Sequence, residues 1–240
     1  MVTSSPTKKR VPASRSTVAL KYAMAVSGLI MIGYLLLHMY GNLKVFAGQE
    51  AFDEYAHHLR TFGEPMLPYE GLLWIVRIVL LAAIIVHVYA VVVLWRRNRK
   101  AGAVRGARRY YSKKNRTGIQ RSYASFTMRW GGLVVLAFIV YHLLHLTTNT
   151  IAPGGASDSP YQRVVNGFEI WYVVVAYTIA MLAVGFHLWH GIWSALTTLG
   201  QNRSPNRIDS RLTGLAVVVT LVITLGFLMP PWAIFLGLEA

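Results

Sequence analysis

Five transmembrane helices in a single all-α bundle are what this chain predicts, and three observations predict it. No charge occurs within residues 22–43, 78–95, 130–157, 170–202 or 212–238. A bilayer span needs about 20 apolar residues. The chain is 55% hydrophobic yet carries a formal charge of +15, and that charge is confined to the ends and connections. The connections also alternate between strongly basic and acidic or nearly neutral, as they do when a chain weaves across a membrane.

In order along the chain, residues 1–16 form a polar segment ahead of one five-helix domain, 17–240. Helix one is expected over about 17–47. Its apolar run is too long for a signal peptide and has no small-residue cleavage site, so it is expected to remain as a span. Residues 49–66 mix acids with apolar side chains (Glu50, Ala51, Phe52, Asp53, Glu54, Tyr55) and predict a short helix on the outer surface. Gly63, Pro65 and Pro68 break it before helix two, about 69–97. Helix three, about 124–150, ends at Pro153-Gly154-Gly155. Helix four, about 167–199, ends at Gly200 with Pro205 beyond. Helix five is about 211–237, and Pro230-Pro231 is expected to kink or end its regular part.

The charge sets the orientation. Lys8, Lys9, Arg10, Arg15 and Lys21 precede helix one. Residues 96–121 hold eleven Lys or Arg and no acid, and Arg203, Arg207 and Arg211 follow helix four. By contrast, residues 45–70 hold Glu50, Asp53, Glu54, Glu64 and Glu70 against Arg60 alone. Lys and Arg collect on the cytoplasmic side, so the N-terminus and the 96–121 connection are expected inside, in a multi-pass protein of the plasma membrane. Topogenic charge beside anionic membrane lipids accounts for most of the basicity, docking of a soluble partner on that side is the functional alternative, and nucleic acid is not an expected partner. With no cysteine, the chain cannot by itself hold a thiolate-bound iron–sulfur cluster.

Four of the spans carry a histidine in their second half. The separation is 17 residues from Lys21 to His38, 17 from Glu70 to His87, 13 from Arg129 to His142 and 18 from Glu169 to His187. Ionisable groups inside a bilayer are costly and usually mark a site. Successive helices run in opposite directions, so His38 and His142 fall in the outer half, while His87 and His187 fall in the inner half. A faint repeat accompanies them, with Gly28 ten residues before His38 and Gly132 ten before His142. Close helix packing is the simplest use of such glycines.

Imidazoles in pairs are a usual means of holding a haem iron from both faces. The prediction is two b haems, the outer on His38 and His142 and the inner on His87 and His187, these four being the axial iron ligands. Copper or zinc would gather its ligands at one depth. Propionates want cations, and Arg77, Arg129 and Lys44 lie near helix ends, where snorkelling to headgroups is their purely structural use. His145 and His190 follow a ligand by three residues on roughly the same face. They are candidates for propionate or quinone contacts, or for the ligand position itself. His57 and His58 read as solvated.

Ser27-Gly28 to Leu37-His38, the Glu50-Ala51-Phe52 segment and the run from His187 through His190, Gly191, Trp193 and Ser194 to Gly200 resemble the cytochrome b subunit of succinate dehydrogenase. The likeness is to the five-helix, single-subunit dihaem type, also found in fumarate reductases, and covers residues 20–235. Carried over residue by residue, the four axial ligands fall on His38, His87, His142 and His187. The resemblance implies a membrane anchor, not itself catalytic for succinate. Its partners would be a flavoprotein subunit with FAD and an iron–sulfur subunit on the basic side, with higher assembly such as a trimer possible. Electrons would pass from succinate through the clusters and two haems to a quinone, menaquinone by expectation. Moving one charge against 100 mV costs about 2.3 kcal/mol, so such an arrangement would feel the membrane potential. Glu50, Glu54, Glu64 or Glu70 would exchange protons with the quinone or bulk water. His145 and His190 depart from the four-ligand pattern, which leaves a haem-free quinone-binding anchor of a complex II variant as the alternative. A transporter is disfavoured, because no span carries an acid of the kind expected at a coupling-ion site.

Overall fold

The computed structural model describes residues 16–103, 127–201 and 211–238. The polar segment before Ser16, most of the basic 96–121 connection, and Arg203 and Arg207 lie outside the described residues. Seven α-helices and no strand occur among the described residues: α1 Thr17–Leu43, α2 Gly48–Thr61, α3 Gly71–Ala103, α4 Gly132–His142, α5 Pro160–Phe168, α6 Trp171–Thr198 and α7 Arg211–Phe235. Five helical stretches are long and apolar enough to cross a membrane: the one beginning at Thr17, Gly71–Lys100, Met128–Thr147, Trp171–Thr198 and Arg211–Phe235.

Ser16 caps α1, its hydroxyl accepting from the Ala19 amide at 3.1 Å, which satisfies one of the orphan N–H groups of the first turn. A 3-10 turn over Lys44–Ala47 tightens the end of α1. Gly48, at φ +85°, turns the chain into α2. The third span is α4 extended at each end by a π turn, Thr127–Gly131 and Leu143–Thr147. Helix two runs six residues beyond the predicted 97, to Ala103, because Arg and Lys are good helix formers and Arg97 is anchored on Thr17 Oγ1 at 3.2 Å. Pro230 and Pro231 do not end helix five. They lie inside α7, which continues to Phe235. Both prolines are buried, and packing one turn from the helix end outweighs the amide bonds they cannot make.

Helix four, expected from 167, is interrupted. The short α5 ends at Phe168, Ile170 is extended, and α6 begins at Trp171. Ser159 caps α5 by accepting from the Gln162 amide at 3.2 Å, and Pro160 takes the first helical position, where its missing N–H costs nothing. α2 and α5 lie against each other at one end of the bundle. Asp53 joins them, accepting from Ser159 Oγ at 2.6 Å and from the Tyr161 amide at 3.0 Å. Phe52 and Tyr161 pack beneath, ring centroids 6.0 Å apart. Asp53→Ala should cost about 1.5–3 kcal/mol, the range for hydrogen bonds to a charged group, and lower the melting temperature of the detergent-solubilised chain.

The helices in close contact are α1 with α3, α6 and α7, α6 with α7, and α4 with α6. So α1 and α6 form the centre, α3 flanks α1, α4 flanks α6, and α7 fills the groove between the central two. Ala180, Val184, Leu188, Ala216 and Ile223 close the α6–α7 seam. α3, by contrast, exposes Trp74, Ile78, Leu81 and Ile85, a surface suited to lipid and not to water.

Candidate functional site

Two pairs of histidine rings meet inside the bundle. His38 of α1 lies against His142 of α4, ring centroids 5.7 Å apart and planes at 81°. His87 of α3 lies against His187 of α6 at 6.3 Å and 63°. The pairs join α1 to α4 and α3 to α6, which are not among the helix pairs in extended contact. The rings therefore bridge parts of the bundle that backbone packing leaves apart.

Their depths follow from two glycines. A Cβ placed on Gly28 would lie 3.5 Å from His87 Cε1, and one on Gly132 would lie 3.4 Å from His187 Cε1. Each glycine is ten residues before the histidine of its own helix. Ten residues rise about 15 Å, so the two pairs sit at levels roughly 15 Å apart. The His38–His142 pair is nearer the end capped by α2 and α5, since His38 precedes the end of α1 at Leu43 by five residues and His142 closes α4.

Aromatic rings wall the capped-end pair. Tyr34 stacks on His38 at 5.3 Å and Phe227 of α7 lies 5.6 Å from it. Phe138 sits 5.7 Å from His142. Tyr34 and Phe138 each precede their histidine by four residues, the spacing that puts two side chains on one helix face.

The hydrogen bonds decide which nitrogens are available. His87 Nδ1 is 3.1 Å from the Met24 carbonyl, which can only accept, so Nδ1 carries the proton and Nε2 the lone pair. Ser27 Oγ, 3.4 Å from the same nitrogen, gives its own proton to the Ala23 carbonyl at 2.7 Å. His142 Nδ1 lies 3.3 Å from the Tyr177 hydroxyl. His187 Nδ1 is buried and has no hydrogen-bond partner among the described residues.

These residues fit a haem. His38 with His142 and His87 with His187 would be the residues to hold it, one pair at each level, with ring centroids 5.7 and 6.3 Å apart. Each pair offers two donors only, and no group of three or more His, Cys, Asp or Glu capable of holding a metal occurs among the described residues. Such two-donor sets would hold the iron of a haem, which would supply one-electron chemistry there. The Nδ1 contacts of His87 and His142 orient their rings, as outer-shell partners do for metal-bound histidine.

Arg77 bonds Glu70 Oε2 at 3.1 Å and lies 4.9 Å over the Trp74 ring, and Arg60 holds the other Glu70 oxygen at 3.3 Å. Lys44 lies over the rings of Tyr40 at 5.3 Å and Tyr55 at 6.0 Å. Arg129 is exposed in the first π turn of the third span. His190 stacks on Trp189 at 5.0 Å. Glu50, Glu54, His57 and His58 are exposed on α2, and Glu64 is exposed beyond it.

His145 does not face His38. It is 2% exposed and lies among Tyr141, Phe168 and Tyr177, its Nδ1 2.9 Å from the Tyr177 hydroxyl. Tyr177 itself escapes sequence reasoning. It is a buried tyrosine on α6 between two histidines of the third span, and no spacing rule links it to them.

Fold and site together define a helical multi-pass membrane protein with two histidine pairs stacked along its axis. No protein-family model, curated protein or solved structure matches the chain.

Proposed function

We propose that the chain is the membrane anchor and electron-transfer subunit of a succinate:quinone oxidoreductase, holding two b haems, one on His38 and His142 and one on His87 and His187. The observation that carries this reading is the meeting of four histidines, two by two, at levels about 15 Å apart. A bound haem supplies a one-electron carrier at each level. The chain supplies the axial nitrogens, fixes the His87 tautomer through the Met24 carbonyl, and excludes water at the capped end with Tyr34, Phe138 and Phe227.

The charge distribution supports an orientation with the N-terminus and basic connection in the cytoplasm and the α2–α5 end outside. In that orientation an iron–sulfur subunit, with its flavoprotein, docks on the basic side. The quinone, menaquinone in this reading, is reduced toward the acidic face. Lys44 and Arg77 are already engaged, by two tyrosine rings and by Glu70 respectively, so propionate pairing would require them to exchange partners.

The test is a reduced-minus-oxidised spectrum of the purified chain with haem quantified. Two low-spin b haems per chain are expected. A preparation from haem-sufficient cells that contains none would reject the reading in favour of the haem-free anchor.

A further inference from the structure

We propose that Tyr177 is the positioning residue of the His38–His142 site. It accepts the His142 Nδ1 proton, is held in turn by His145, and so aims the His142 Nε2 lone pair at the metal position. This rests on the haem reading above.

A phenol has one proton and can donate it to only one of the two imidazoles it touches. A metal-bound nitrogen carries no proton, so a His142 that binds iron through Nε2 must keep its proton on Nδ1, 3.3 Å from the Tyr177 oxygen. Tyr177 is then the acceptor there. Its own proton goes to His145 Nδ1, at the shorter 2.9 Å. That puts the His145 proton on Nε2, the nitrogen facing Gly167.

A Cβ on Gly167 would come within 2.5 Å of His145 Nε2. The His145 ring is therefore seated directly on the α5 backbone and cannot swing away. Phe138 and Phe168 fix the Tyr177 ring from its sides, centroids 5.0 and 4.8 Å away. The series His142, Tyr177, His145, Gly167 links the third span through α6 to the capping helix. It also gives His145 a use other than contact with a propionate or quinone.

The other pair is held differently. There the acceptor is a backbone carbonyl, that of Met24, which no side-chain substitution removes. One centre is thus tunable by mutation at its acceptor and the other is not. Donation from Nδ1–H raises the basicity of the ligand nitrogen, which favours the oxidised metal, so losing the acceptor makes the centre easier to reduce.

The experiment is a potentiometric titration of both centres in the full-length chain purified with its haem. Tyr177→Phe is expected to raise the reduced-to-oxidised ratio of the His38–His142 centre about tenfold at fixed potential. That corresponds to about 59 mV for one electron. The other centre stays unchanged and two haems per chain are kept. His145→Gln, which can still accept from the phenol, should keep both wild-type potentials. His145→Leu should shift the same centre in the same direction by less. Unchanged potentials in Tyr177→Phe with full haem content, or a shift confined to the other centre, would overturn the proposal. Should Tyr177→Phe lose its haem, identical potentials in the two His145 variants would overturn it instead. A wild-type chain without haem is a separate outcome, which removes the underlying reading.

Discussion

Alanine in place of His87 should leave the chain with a single haem, the one on His38 and His142, and His187→Ala should give the same spectrum. His38→Ala and His142→Ala should form the complementary pair, each keeping only the centre of His87 and His187. The expectation follows from ring contacts within each pair, at 5.7 and 6.3 Å, and from the separation of the pairs by about ten residues of helix. Loss of His87 also removes its bond to the Met24 carbonyl, worth about 1 kcal/mol, too little to unfold a bundle held by the α1–α6–α7 packing. Haem per chain, counted after purification, should fall from two to one in all four variants. If His87→Ala and His38→Ala shared a spectrum that His187→Ala lacked, the pairing would be wrong even with two haems in the wild type.

That pairing is legible in the sequence for a simple reason. Charged residues mark where each apolar run begins, the helical rise converts position into depth, and alternation of direction then matches His38 to His142 and His87 to His187. The choice between His142 and His145 is not legible on those terms. Three residues apart they share a face of a regular helix. His145, however, falls in the π turn Leu143–Thr147, where the wider i→i+5 ladder turns it toward Tyr177. Tyr177 has no local signal at all, since its partners are 32 and 35 residues away. The helix α5 did have one. Ser159-Pro160-Tyr161-Gln162 places a cap, a proline at the first helical position and a glutamine at the third, the pattern of a helix start. Pro153, Gly154, Gly155 and Ser157 just before it have the composition of a loop and mask that signal. Of the two outcomes expected at Pro230-Pro231, the helix end does not occur, since α7 continues to Phe235; burial of both rings lies beyond what local rules can weigh.

Gly28 and Gly132 separate the histidine on a helix from the histidine that packs on it. A bulky side chain at Gly28 should damage the centre of His87 and His187, although Gly28 belongs to the helix of His38. Gly132→Leu should strike the same centre from the other side. The geometry also sets the size limit. A methyl at either position would make ordinary contact, 3.5 Å from His87 Cε1 and 3.4 Å from His187 Cε1, so Gly28→Ala should keep two haems and near-normal stability. Leucine adds three further carbons where the imidazole stands. Overpacking of this kind costs typically about 1–3 kcal/mol, and here it is relieved most readily by displacing the ring, since the Gly28 backbone is fixed in α1. Gly28→Leu is therefore expected to hold one haem, that of His38 and His142, and to melt at a lower temperature than Gly28→Ala. Loss of the His38–His142 centre instead, with that of His87 and His187 intact, would mean that these glycines serve their own helix's histidine and that the depth assignment built on them is mistaken.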